Sequence, residues 1–235
     1  MGNTAQLWSA QVSELSDVCT VVVADYAGAE SIQVMADRVL EQVPEGRFSL
    51  VGFSLGGYIA LNLAARVADR IERLAFISAS PFADSEQAIE QRQALIEQAH
   101  ANYKVVLENM SRFIVCADGP LAREARKTAV TMGIELGVDE FCRQQRAAMQ
   151  RRDAREQLSS IRCDVRVLCG ADDKVTPVSG NRYIAEHLPG ATLRVLERSG
   201  HLLPLERPSE VSAFLYEWLL ADTANTGAAE SVDEA

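Results

Sequence analysis

Between the apolar run Phe48-Ser49-Leu50-Val51 and the helix-like run Tyr58 to Ala65 stands Gly52-Phe53-Ser54-Leu55-Gly56-Gly57, and no other stretch restricts the fold as tightly. A serine joining a strand to a helix over so short a connection must sit in a sharp turn. The strained φ/ψ of such a turn is tolerable only if the residues two before and two after carry no side chain to meet strand or helix. Gly52 and Gly56 meet that demand. The turn also has a chemical consequence. It places Ser54 Oγ at the carboxyl edge of a sheet, at a helix start whose free N–H groups and dipole favour negative charge, with Leu55 N–H facing a developing oxyanion.

The rest of the chain reads in the same rhythm. Short β-branched runs at Thr20 to Ala24, Phe48 to Phe53, Arg73 to Ser78, Val165 to Cys169 and Thr192 to Leu196 are apolar throughout, as strands buried on both faces must be. Helical patterns at Ser31 to Gln42, Leu55 to Val67, Pro177 to His187 and Pro208 to Leu220 fall between and after them, with Pro177 and Pro208 suited to a first helical turn. The fold class is α/β: a mostly parallel sheet of five strands with helices on both faces. One interval breaks the rhythm, since far more chain separates the third strand from the fourth than a crossover helix needs. An inserted helical unit accounts for it. Within it Ile89, Ile96, Tyr103 and Met110, interleaved with Ala99, Val106 and Phe113, give Ser85 to Ile114 one apolar stripe. The mixed charges from Arg123 to Arg166, including Arg151, Arg152 and Arg155, predict a solvated, salt-bridged face. Residues 222–235, rich in Ala, Thr and acid, predict a disordered acidic tail.

Composition excludes several function classes. At 235 residues the chain can bury a core without disulfides. A net charge of -10 repels phosphate backbones and anionic lipid, so neither nucleic acid nor membrane is expected as a partner. The longest apolar run, Val18 to Ala24, is too short to cross a bilayer, and Met1 to Gln6 lacks the basic and apolar regions of a secretory signal; a cytoplasmic location is expected. Cys19, Cys116, Cys142, Cys163 and Cys169 are scattered, which reads as reduced buried thiols with no metal ligation.

A hydroxyl is a weak nucleophile until a base takes its proton, so Ser54 requires a histidine that is itself oriented by a carboxylate. Of His100, His187 and His201, the last stands just beyond the strand ending at Leu196, at the sheet edge that carries Ser54; His187 sits at a helix end and His100 inside the insertion. Asp172 and Asp173 follow the strand Val165 to Cys169 at the same edge, and the order Ser, Asp, His is the one such a site takes. Residue by residue there are plainer readings: Ser54 and Asp173 as helix caps, His201 as a loop histidine.

Taken together, the motifs resemble those of the α/β-hydrolase family from about Leu7 to Leu220. Gly52 to Gly57 looks like the family's nucleophile elbow, Gly170 to Pro177 like its acid loop, and Gly200-His201 with Glu206-Arg207-Pro208 like its histidine loop and closing helix. The acid of that loop usually stands four residues before the proline, which favours Asp173 over Asp172. The resemblance implies a discontinuous core at 1–84 and 161–221 and a helical cap at 85–160. It further implies hydrolysis of a carboxylic ester or related small acyl substrate, with no cofactor; assembly with further copies stays open. Family members carry two or three further strands and a His-Gly or Pro-Gly loop ahead of the segment matching Leu7 to Gln11. One of those strands lies between the matches of Thr20 to Ala24 and Phe48 to Phe53, and the loop supplies a second oxyanion N–H. The expectation is therefore either a reading frame that begins upstream of Met1 or a rearranged sheet.

Two functions follow as expectations. One is a serine hydrolase in which Ser54 attacks, His201 is base and then acid, Asp173 orients His201 and Leu55 N–H holds the oxyanion. The other is a non-catalytic α/β-hydrolase-like binding protein without its oxyanion loop. Dinucleotide binding is disfavoured, because Ser54 occupies the place of the glycine that lets a pyrophosphate approach.

Overall fold

The computed structural model describes residues 1–221; the tail expected at 222–235 lies outside them. A 3-10 turn at Ala5–Trp8 leads into α1 (Ser9–Leu15), and after an irregular stretch come α2 (Ile32–Gln42), β1 (Phe48–Phe53), α3 (Leu55–Arg66) and β2 (Ile71–Ile77). Four helices follow: α4 (Glu86–Ile114), α5 (Ala122–Leu136), α6 (Val138–Met149) and α7 (Arg155–Leu158). β3 (Asp164–Gly170), α8 (Val178–Glu186), β4 (Thr192–Leu196), α9 (Leu203–Glu206) and α10 (Pro208–Leu220) complete the order.

The sheet is parallel throughout, in the order β1-β2-β3-β4. Alternation along β2 divides the core in two: Leu74 and Phe76 pack with α2, α3 and α8 on one face, Ala75 and Ile77 with α1 and α10 on the other. The central strands β2 and β3 are buried nearly throughout, whereas the edge strands β1 and β4 are only partly so, which corrects the expectation of full burial for every strand.

The strand expected at Thr20 to Ala24 is absent. That stretch has no regular secondary structure, and among the described residues it makes no backbone hydrogen bond to β1. A strand exists only through its partner, and β-branched residues alone do not supply one. Between this stretch and β1 runs a groove of about 650 Å³ lined by Trp8, Leu15, Val21, Val23, Leu50 and Val51, and Val22 is half exposed. The described sheet therefore has four strands, with β1 as an edge.

α4 starts where the sequence predicts, with Ser85 Oγ accepting from Ala88 N, but it is kinked at Asn102 (φ -157°, ψ 83°). The apolar stripe nevertheless runs across the kink: Ile96, Ala99 and Val106 are buried and Tyr103 and Met110 pack against them, whereas Phe113 turns out to solvent. The charged stretch departs from its expected exposure at two positions, Glu140, which is buried, and Arg151. The Arg151 side chain is largely covered, its guanidinium on Asp84 at 2.7 Å and over the Tyr58 ring at 4.2 Å, while Arg92 holds the other Asp84 oxygen. One carboxylate thereby fastens both ends of the helical insertion. Pro177 caps α8 from outside instead of opening its first turn. All five cysteines are free thiols; Cys142 and Cys169 are buried and the other three partly so.

Among the described residues, three other than glycine take positive φ: Ser54, Ser78 and Arg198. Each stands just past the carboxyl end of a strand, β1, β2 and β4 respectively.

Candidate active site

Ser54 sits at φ 51°, ψ -113°, between β1 and α3. Its N–H donates to Ile77 O, and its carbonyl accepts from Gly57 N. The tightness of the turn falls on particular glycines. A Cβ on Gly52 would lie 2.7 Å from Gly56 O and 2.9 Å from the Ala60 Cβ, and one on Gly57 would lie 2.8 Å from the Ala79 Cβ. Gly56, expected to be required, faces open space; Gly57 is the second position that needs to be bare. The Ser54 side chain makes no cap bond, so its hydroxyl is free for other work, and Leu55 N–H, in the first turn of α3, has no acceptor among the described residues.

Ser54, Asp173 and His201 come together from three separate loops at the carboxyl edge, and all three are buried. Ser54 Oγ lies 2.8 Å from His201 Nε2, and His201 Nδ1 lies 2.8 Å from Asp173 Oδ2. With Nδ1–H donating to the carboxylate, Nε2 is left as the acceptor for the Ser54 hydroxyl. Asp173 Oδ1 takes the N–H groups of Val175 and Thr176, and Oδ2 takes the Thr176 hydroxyl at 2.8 Å. Burial alone would raise the Asp173 carboxyl; the His201 imidazole and the Thr176 donors outweigh it and hold it below its ordinary range. Asp172, the neighbouring alternative, is exposed, and its carboxylate accepts from the thiol of Cys116 and not from a histidine. His187 bonds its own helix end at Tyr183 O, and His100 is exposed on α4.

The acid and histidine loops touch through their backbones. A Cβ on Gly170 would lie 2.2 Å from Gly200 O and 2.3 Å from Ser199 O, and Asp172 N donates to Ser199 O. His201 N donates to Ile114 O at the end of α4, at 2.7 Å, and Phe53 packs on the imidazole with ring centroids 5.2 Å apart. Beside the turn, a cleft of about 510 Å³ is lined by Phe53, Leu55 and Gly56 from the core, Asn3 and Thr4 from the first residues, and Gln144 from α6.

Two residues at the site were missed in the sequence. Thr176 completes the carboxylate's hydrogen bonds; its signal was a donor three residues after an aspartate, the spacing of a local turn. Glu206 is fully buried and accepts three backbone N–H groups around His201; its signal was one acid set among Leu202, Leu203, Pro204 and Leu205. Among the described residues, no cluster of three His, Cys, Asp or Glu could hold a metal ion.

In sequence and fold the chain is similar to known proteins. The sequence model of the Alpha/beta hydrolase family matches residues 2–214. A protein of Caulobacter sp. (strain K31) named "Putative carbamate hydrolase RutD" is 26% identical over 241 residues, covering 95% of this chain and 89% of that protein. The pimeloyl-(acyl-carrier protein) methyl ester esterase of Nitrosomonas europaea is 25% identical over 203 residues, covering 79% and 76%. The crystal structure of the enol-lactonase from Burkholderia xenovorans LB400 superposes with a TM-score of 0.82 at 22% identity, covering 94% of this chain and 88% of that one, a likeness of fold alone.

Proposed function

This chain belongs to the alpha/beta hydrolase family, and on that premise we propose that it is a serine hydrolase cleaving a carboxylic ester or related acyl substrate through an acyl-enzyme on Ser54. The observation that carries the reading is the unbroken relay from Ser54 Oγ through His201 to Asp173, with both contacts at 2.8 Å. As Ser54 Oγ bonds to the acyl carbon, its proton passes to His201 Nε2, and the carbonyl oxygen becomes an oxyanion beside Leu55 N–H. Collapse of the tetrahedral centre breaks the bond to the leaving group, which takes the proton from Nε2. Water then attacks the acyl-enzyme, gives a proton to Nε2, and the acid departs as Ser54 Oγ is reprotonated. Asp173 orients the imidazole and stabilises its charged form, as its lowered pKa supports.

Residues 85–160 are proposed as a cap over this site, around a core of 1–84 and 161–221, and the cytoplasm as its location. No helix of the described residues is long and apolar enough to cross a membrane. The relatives named for carbamate and methyl ester cleavage keep the proposal at the level of acyl chemistry, since one triad serves many acyl substrates. A fluorophosphonate probe tests it: the folded protein is labelled, and Ser54→Ala, otherwise intact, is not. A folded wild type that stays unlabelled refutes the proposal and favours a binding protein without turnover.

A further inference from the structure

His201 owes its place to more than Asp173. Glu206, at the end of α9, is fully buried and has no ion pair among the described residues. Its Oε1 accepts Leu202 N at 2.9 Å, and its Oε2 accepts Gly200 N at 2.8 Å and Cys116 N at 2.9 Å. These are the N–H groups on either side of His201 and one from the chain leaving α4, whose Ile114 O takes the His201 N–H itself. Gly200 leaves no slack, because a Cβ there would lie 2.6 Å from Ile114 O and 2.7 Å from Cys116 N. A buried carboxylate is expensive unless its oxygens are occupied, and a group that only accepts, at two oxygens, is what three converging donors require.

We infer that Glu206 is a positioning residue, which holds the His201 imidazole in register with Ser54 by binding the backbone on both sides of it and, through Cys116, ties that register to the helical insertion. The inference rests on the proposed roles of Ser54 and His201. It adds a second carboxylate to the site, acting on the peptide chain where Asp173 acts on the ring.

Three variants test it: Glu206→Gln, Glu206→Ala and, as a destabilised control remote from the site, Leu158→Ala. Each is read by the rate of fluorophosphonate labelling per folded molecule and by the far-downfield proton resonance of the His201 Nδ1–H bond, recorded without probe or substrate. Gln keeps the acceptor for two of the donors and turns an NH₂ toward the third, so labelling slows about three- to tenfold, by one lost bond and one repulsion. Ala leaves all three donors unbound; labelling slows about a hundredfold, as for a catalytic group displaced by an ångström, and the resonance is lost. The control labels at the wild-type rate and keeps the resonance. A purely structural role would lower the melting temperature of the Glu206 variants while leaving rate and resonance as in the wild type, and that result overturns the inference. If Glu206→Ala does not fold, Glu206→Gln decides alone, since a wild-type rate with an unshifted resonance would be equally fatal. An unlabelled wild type whose resonance responds to Glu206→Gln sinks the hydrolase reading and leaves the positioning role standing.

Discussion

Thr176→Val removes one oxygen from the site and little volume. The hydroxyl donates to Asp173 Oδ2 at 2.8 Å, in a place where Thr176 is buried and the carboxylate nearly so. A hydrogen bond to a charged group contributes about 1.5 to 3 kcal/mol. Asp173 retains the N–H groups of Val175 and Thr176 and the imidazole N–H, so no oxygen is left without a partner, and the lower part of that range, about 2 kcal/mol, is expected. In a domain of this size that loss lowers the melting temperature by roughly 4 to 8 °C. The pH dependence is the sharper test. Asp173 is held below its ordinary range, so it contributes stability that is present above the unfolded carboxylate pKa and is lost as pH falls through the folded one. Without the hydroxyl the folded pKa rises, and the variant begins to lose this contribution at a higher pH than the wild type. Urea unfolding of both proteins from pH 7 down through the carboxylate range measures the difference, which shrinks once both forms are protonated and the missing bond is one between neutral groups. A difference that is constant with pH, or below about 0.5 kcal/mol at pH 7, would refute the charge-assisted character assigned to this bond.

Glycine substitutions separate crowded positions from open ones. Gly170→Ala drives a Cβ into the carbonyls of Gly200 and Ser199 and is expected to destabilise by on the order of 3 kcal/mol or more, while Gly56→Ala, in open space within the first turn of α3, stabilises by about 0.5 kcal/mol; chemical denaturation of the pair reads both signs. Arg151→Met removes a partner of Asp84 and is expected to destabilise by about 3 kcal/mol at neutral pH. Because the two arginines outweigh burial and hold the Asp84 carboxyl below its ordinary range, that penalty fades as pH falls through the lowered pKa, which acid titration of the unfolding midpoint follows.

What the sequence disclosed was what short stretches of chain determine. The turn at Ser54 was legible because its glycines, the preceding strand and the following helix are contiguous, and Asp173 and His201 because each lies in a loop that follows a strand at the same edge. The rest depended on partners distant in the chain. Thr20 to Ala24 has the composition of a strand, yet composition does not reveal whether a neighbour is at hand. Asn102 breaks α4 without the proline or glycine that would have announced it. Arg151 reads as one more surface charge until Asp84, far back in the sequence, is seen beneath it. Gly56 and Gly57 are indistinguishable on paper, since the atom that decides between them belongs to Ala79. Glu206 was visible as a residue and not as a function, because its third donor comes from Cys116, 90 residues away.

The three positive-φ residues at the strand ends give the molecule a thermodynamic polarity. Ser54, Ser78 and Arg198 each hold a backbone conformation that costs of the order of 1 to 3 kcal/mol, and all stand along the carboxyl edge. Against a net stability of about 5 to 15 kcal/mol for a domain, that edge is a standing deficit, offset by the well-packed layers around Phe76, Trp218 and Leu63. Relaxing it would strengthen the fold and blunt the turn that presents Ser54. Gains in heat resistance that spare the site are to be sought at the opposite edge of the sheet and in the two buried layers, where order and chemistry are not drawn from the same residues.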